Sequence, residues 1–279
     1  MSTLTDELAA STVEALVAKL NEGPGRWSRS WAPVVQRNAI NGRAYRGANT
    51  LILMVAQFDQ LRSSCRWATY KAWTEAGAQV RKGEHGTKIL FWKVTKAEVA
   101  DQRDKVYATT YTVFNADQVD NDPGTVIEPA DYQLLSYVPV TIIEGAPAYS
   151  PSLDAVLMPP FHSFSNHDAQ LATFAHELVH WTGHSTRLNR EFGARFGDDL
   201  YAAEELVAEL GSAMMCAHLG IDAVARLDHD AYLSSWITTL RAEPTVLWSV
   251  MAKAQAAVDH LLSYAPSSST TTTAEEAPS

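Results

Sequence analysis

The chain has 279 residues, 46% of them hydrophobic, and a formal net charge of −10; that suits one large domain or two ordinary ones with a real core. Residues 1–96 carry 14 Lys and Arg against 7 Asp and Glu, whereas residues 97–279 carry 8 against 25, so the first part can attract phosphate and the second should repel it. No run nears the roughly 18 apolar residues of a membrane span, the start "MSTLTDELAAS" lacks an apolar signal core, and two distant cysteines make no disulfide framework; a cytoplasmic protein with Cys65 and Cys216 as reduced core thiols is expected.

Val13, Leu16, Val17 and Leu20 have helical spacing, which predicts a helix over 12–20 that "NEGPG" stops. A basic, Trp-rich loop, "RWSRSWAP", follows. "NG" marks a turn at 41–42, and the apolar run from Leu51 starts a second helix. "RWATYKAWTEAGAQV" reads as a short strand or turn running into a helix near 71–77. Turn residues at 82–86 and a strand from Ile89 to Val94 form a hairpin, and "VYATTYTVFNADQV" supplies another strand. The acidic, turn-rich "DNDPGTVIEPADY" marks a boundary near 121–131. Strands are expected at 139–143 and 154–158, the latter able to offer an edge to an extended peptide. A helix runs from polar starters at Ser165 and Asn166 to a Gly stop at 183. Helices over 201–219, 229–241 and 245–264 precede a low-complexity tail expected to be disordered. The division is thus 1–125, 126–265 and a tail of 266–279, an α+β chain of two domains.

"FAHELVHWTGH" at 174–184 carries the chemistry. Leu171, Phe174, Ala175, Leu178 and Val179 form a buried helical stripe. His176 and His180 point away from it and, at about 100° per residue, only about 40° from each other. One turn apart, both imidazoles can reach one ion, and Glu177 beside them can hold a water; this is the H-E-x-x-H arrangement of zinc peptidases. A third ligand is needed. On a continued helix His184 would lie about 12 Å along the axis from His176, too far to share one ion. A metzincin would need a histidine at 186, and that residue is Thr186. "YAAEELVAELG" is the better source. Glu205 and Glu209 lie i, i+4 on an apolar helix, where buried unpaired carboxylates are costly. Glu205 is read as the third zinc ligand, and Glu209 as the acceptor that orients a ligating histidine. Glu204 is the fallback ligand, otherwise a solvated neighbour. Glu177 would act as general base and then proton donor in metal-assisted hydrolysis. Tyr149, His162, His167 and Tyr201 are candidates to stabilise an oxyanion, each with an ordinary structural role as the alternative.

The first part interleaves cations with aromatic rings, the components of a single-stranded-DNA surface. Trp27, Arg29 and Trp31 form one group. The expected contacts are Arg43, Tyr45, Arg46, Asn49, Trp67, Tyr70, Lys71, Arg81, Lys82 and Lys88, whereas Trp92 is read as core. No helix-turn-helix or zinc finger favours a duplex.

"NAINGRAYRGANTLIL", "WATYKAW", "GAQVRKGEHGTKILFW", "VFNADQV", "LDAVLMPPFHSF", "FAHELVHWTGH", "YAAEELVAELG" and "YLSSWITTLRAEP" together resemble the ArdC antirestriction family from about 10 to 264. The resemblance implies an N-terminal single-stranded-DNA-binding domain fused to a zincin-like metallopeptidase domain. It implies a chain carried by plasmids or other mobile elements that shields incoming DNA from the recipient's restriction enzymes. Similar N-terminal domains occur on plasmid primases. It also implies metal ligands at His176, His180 and the Glu205 region, with Glu177 catalytic and a protein substrate near the DNA. Two further readings stay open: a DNA-coating protein with a structural or vestigial metal, and a protease whose basic domain binds an acidic protein.

Overall fold

The computed structural model describes residues 3–20, 34–95, 105–124, 133–191, 199–221, 237–238 and 240–266. The expected helix over 229–241 falls largely outside them, as do Trp27, Arg29, Trp31, the Trp92 side chain and the tail after 266.

Helix α1 spans Thr3–Leu20 and so begins well before Thr12. Thr5 and Ala9 are buried with Thr12, Val13, Leu16 and Val17, which extends the helical stripe upstream. Asp6 lies in the first turn, where a negative charge suits the helix dipole. Strand β1 (Arg37–Asn38), helix α2 (Ala48–Asp59), strand β2 (Arg66–Thr69) and helix α3 (Tyr70–Glu75) follow. Then come strands β3 (Gln79–Val80), β4 (Thr87–Thr95), β5 (Lys105–Asn115) and β6 (Val119–Asp120). The N-terminal sheet has the order β1-β2-β5-β4, and β3 pairs with β6 beside it. Strands β4 and β5 pair antiparallel, in register from Thr87↔Val113 to Thr95↔Lys105, whereas the hairpin expected about the turn at 82–86 does not form, because β3 before that turn pairs with β6 and not with β4. Helix α2 covers the sheet by burying Ile52 and Leu53 against Trp67, Ile89, Leu90 and Val113.

Strands β7 (Thr141–Glu144), β8 (Ala148–Ser150) and β9 (Ala155–Met158) make a three-stranded sheet in the order β7-β9-β8. The strand read as a free edge is therefore the central one. Both sides of β9 are paired, parallel to β7 and antiparallel to β8, so it cannot take up an added peptide strand. Helix α4 (His167–Thr182) starts where the Asn166 side chain accepts the Ala169 N–H at 2.8 Å and ends at Gly183, as the sequence predicts. Helices α5 (Asp199–Leu219) and α6 (Val246–Leu262) complete the described architecture, an α+β arrangement.

One core joins the two halves. Val13, Leu16 and Val17 of α1 and Leu51, Met54 and Val55 of α2 pack with Leu178, Val207, Met215, Met251 and Val258 of α4, α5 and α6. Above this seam the Gly47 N–H donates to Gln255 Oε1 at 2.8 Å, and Arg46 pairs with Asp259. Cys65 and Cys216 are buried free thiols, as expected. Among the described residues no helix is long and apolar enough to cross a membrane.

Gly211 sets the spacing of α4 and α5. A Cβ there would meet Val179 Cγ2 at 2.9 Å and Cγ1 at 3.0 Å, closer than packed carbons tolerate. Gly211→Leu should therefore overpack the interface and lower the unfolding free energy by about 1–3 kcal/mol, read from the denaturation midpoint. A midpoint at or above that of the parent chain would show that the two helices can part at no cost.

Candidate metal centre

The C-terminal half of α4 is buried on all sides because α5 lies against the face that carries the histidines. His176 is 3% exposed, Glu177 4%, His180 8% and Glu205 9%. The two imidazoles turn the same edge toward one point, with Nε2 to Nε2 at 3.1 Å. From α5, Glu205 brings Oε1 to 3.5 Å from His180 Nε2 and Oε2 to 3.6 Å from His176 Nε2. Ligand atoms of these three residues all lie within 4.8 Å of one another.

The donor set fits a divalent cation. Around a tetrahedral ion with bonds of about 2.0–2.1 Å, neighbouring ligand atoms stand roughly 3.3–3.4 Å apart. The Nε2 to Nε2 distance of 3.1 Å lies close to that value, as do the contacts of 3.5 and 3.6 Å that the two Glu205 oxygens make, each with one imidazole. Two imidazole nitrogens facing each other and one carboxylate leave a lone-pair-rich centre that a cation satisfies. His184, the tempting alternative, lies outside this cluster; its Nδ1 stands 2.8 Å from the Thr186 hydroxyl.

The remaining imidazole nitrogens are also met by carboxylates. His176 Nδ1 lies 3.3 Å from Glu209 Oε1, the partner predicted from its spacing. His180 Nδ1 lies 3.2 Å from Glu204 Oε1. Glu204, read as a solvated fallback ligand, is buried instead, and its carboxylate is gripped by Arg190 with Nη2 to Oε1 at 2.7 Å. Burial raises the Glu204 carboxyl, but His180 and Arg190 together hold it below the ordinary range. Burial likewise raises Glu205, and hydrogen bonding from His176 with the nearby imidazole charges outweighs it. Neither Arg190 nor the role of Glu204 was visible in the sequence, because the loop that returns Arg190 to α5 has no spacing signature.

The oxyanion candidates separate by position. The Tyr149 hydroxyl donates to Asp154 at 2.9 Å and accepts from Arg187 at 3.3 Å; burial and then Asp154 push it up to about 12. That is a structural tie. His162 and His167 are exposed near the start of α4, and His167 stands about 13 Å along the axis from His176. Tyr201 hydrogen-bonds Glu205 and so borders the centre.

The residues read as DNA contacts divide more sharply. Trp67 is 0% exposed and its indole N–H donates to Gln36 Oε1 at 2.7 Å, so it belongs to the sheet core and cannot stack on a base. Asn49 spends its amide on β4, donating to Leu90 O at 2.7 Å and accepting the Leu90 N–H at 2.8 Å. Tyr45 is half-buried, with its hydroxyl donating to Trp67 O at 3.2 Å. Arg46 is paired with Asp259, and Arg81 with Glu84, Asp120 and the Asp117 carbonyl. Lys71 lies 3.6 Å from Glu75 but is largely exposed. Arg43, Tyr70, Lys82 and Lys88 are exposed. The sequence reading missed Phe91 and Tyr111, a half-exposed edge-to-face pair with centroids 5.4 Å apart; cross-strand neighbours on one sheet face cannot be paired before the register is known.

Comparison with known proteins agrees with this organisation. Residues 6–119 match the family described as the N-terminal domain of anti-restriction factor ArdC, and residues 133–253 match the zincin-like metallopeptidase family. The y4eC protein of Sinorhizobium fredii is 34% identical over 269 residues, covering 88% of each chain. DNA primase TraC of Escherichia coli is 34% identical over 288 residues, but the matched part is 19% of that longer protein. The metal-free crystal structure of the antirestriction ArdC protein from plasmid R388 superposes with a TM-score of 0.78 at 31% identity, covering 94% of this chain and 98% of that one. Its Mn(II)-bound structure gives 0.76 at 32% identity, covering 92% and 97%. With both domains matched in order and likeness along nearly the whole length, the chain belongs to the ArdC antirestriction family.

Proposed function

We propose that the chain is an antirestriction protein that binds single-stranded DNA through its basic N-terminal part and holds one zinc ion at His176, His180 and Glu205. In this reading it protects incoming mobile-element DNA in the recipient cytoplasm. The observation that carries the metal centre is the buried triangle of two Nε2 atoms and one carboxylate. When bound there, the ion supplies Lewis acidity, polarising a carbonyl and acidifying water. Glu177 takes up a proton as general base and returns it to the leaving amine. Glu209 orients His176. The DNA reading rests on the exposed cations Arg43, Lys82 and Lys88 and on the exposed rings of Tyr70, Phe91 and Tyr111.

A second reading is favoured by one observation. Glu177 is only 4% exposed, which suits an ion that braces α4 and α5 in a protein whose work is DNA coating alone. The Glu177→Gln variant separates the two. A peptidase role predicts that it keeps metal and single-strand affinity but protects entering DNA no better than His176→Ala. Full protection by Glu177→Gln would instead establish the coating role.

Zinc added at about 100 times its dissociation constant should raise the unfolding free energy by about 2.7 kcal/mol, and chelation should remove that gain. His176→Ala should show no zinc-dependent shift in a thermal melt. Single-strand affinity should fall with salt, and replacing Arg43, Lys82 and Lys88 by Ala together should flatten the log–log slope by about 2. An unchanged slope would move the DNA surface elsewhere.

A further inference from the structure

Past Gly183 the chain folds back under the end of α4. The Leu188 N–H donates to Thr182 O at 3.0 Å and the Arg190 N–H to Gly183 O at 2.9 Å. This return places the Arg190 guanidinium beneath the helix terminus. Nη2 donates to Val179 O at 2.6 Å, a carbonyl in the last turn of the helix, and Nη1 donates to the Thr182 hydroxyl at 2.8 Å. The other edge of the guanidinium grips Glu204, with Nε to Oε2 at 3.0 Å. The side chains are 5% and 6% exposed.

Stability alone is a poor reason for such a pair, since desolvating two charges offsets much of their attraction. Its placement supplies another. The carboxylate that Arg190 fixes is the one facing His180 Nδ1. We propose that Arg190 and Glu204 act as a positioning clamp that holds the His180 proton on Nδ1 and leaves Nε2 bare toward the metal centre. Glu204, acceptor-only while paired to Arg190, selects that tautomer. The same grip holds the Glu204 carboxylate on the Nδ1 side of His180, apart from the group of His176, His180 and Glu205 that would hold the ion. The clamp rests on the zinc reading for its purpose, but its proton placement can be measured without metal.

Long-range proton–nitrogen spectra of the metal-free full-length chain, labelled at histidine nitrogen, report the tautomer. His180 is expected to carry its proton on Nδ1. Replacing the pair together, Arg190→Met with Glu204→Leu, leaves no unpaired buried charge and should preserve the fold. In that variant the Nδ1 preference should vanish, and zinc affinity, measured by competition with a chromophoric chelator, should fall about 10–100-fold. If the double variant does not fold, Arg190→Lys keeps the charge without the fork and should also weaken zinc binding. An Nε2 proton on His180 in the parent chain, or a folded variant with parental affinity, overturns the clamp. A parent chain that binds no zinc yet carries the Nδ1 proton supports the clamp and refutes the metal reading alone.

Discussion

The close approach of α4 and α5 governs the rest of the centre. At Gly211 the two backbones come near enough for Val179 to fill the space of a side chain. That contact lets carboxylates from one helix reach imidazoles on the other. The helices run antiparallel through the site: His180 meets Glu204, His176 meets Glu209, and Glu205 reaches both. Each helix advances about 6 Å over four residues, so a single antiparallel register satisfies all the pairs at once. Three carboxylates within six residues of an apolar helix would be prohibitive without such partners.

The same helices receive the N-terminal part of the chain. Helix α1 and one side of α2 lie in the core that α4, α5 and α6 build, while the other side of α2 covers the N-terminal sheet. Helix α2 is thus apolar on two faces, which is why its sequence "LILMV" carries no clean amphipathic period. Two regions of opposite net charge are held by a shared core, and Arg46–Asp259 is one point where the charges meet.

Features set by local chemistry could be read from the sequence. The Asn166 cap, the Gly183 stop and the i, i+4 histidines needed only one helix, and the i, i+4 spacing of Glu205 and Glu209 needed only its neighbour. Features set by tertiary return could not. Arg190 reaches Glu204 because a loop doubles back, and β9 lies between β7 and β8 although it follows both in sequence. Trp67 shows a third limit. A ring next to a cation in sequence looks alike whether it faces solvent or core; strand parity and the cover of α2 decide, and both put Trp67 inside.

Arginine count is a poor measure of a phosphate surface here. Arg62 pairs with Glu84, Arg66 with Asp122, and Arg81 with Glu84, Asp120 and backbone carbonyls. These side chains fasten loops of the N-terminal part to one another. Their forked donors suit that task better than an ammonium does, and a carboxylate already in place must be displaced before DNA can claim them. Among the described residues of the N-terminal part, exposed positive charge outside these carboxylate pairs is offered by Arg43, Lys82 and Lys88. Single-strand binding built on lysine point charges and half-exposed rings tolerates many sequences, because neither group reads a base edge.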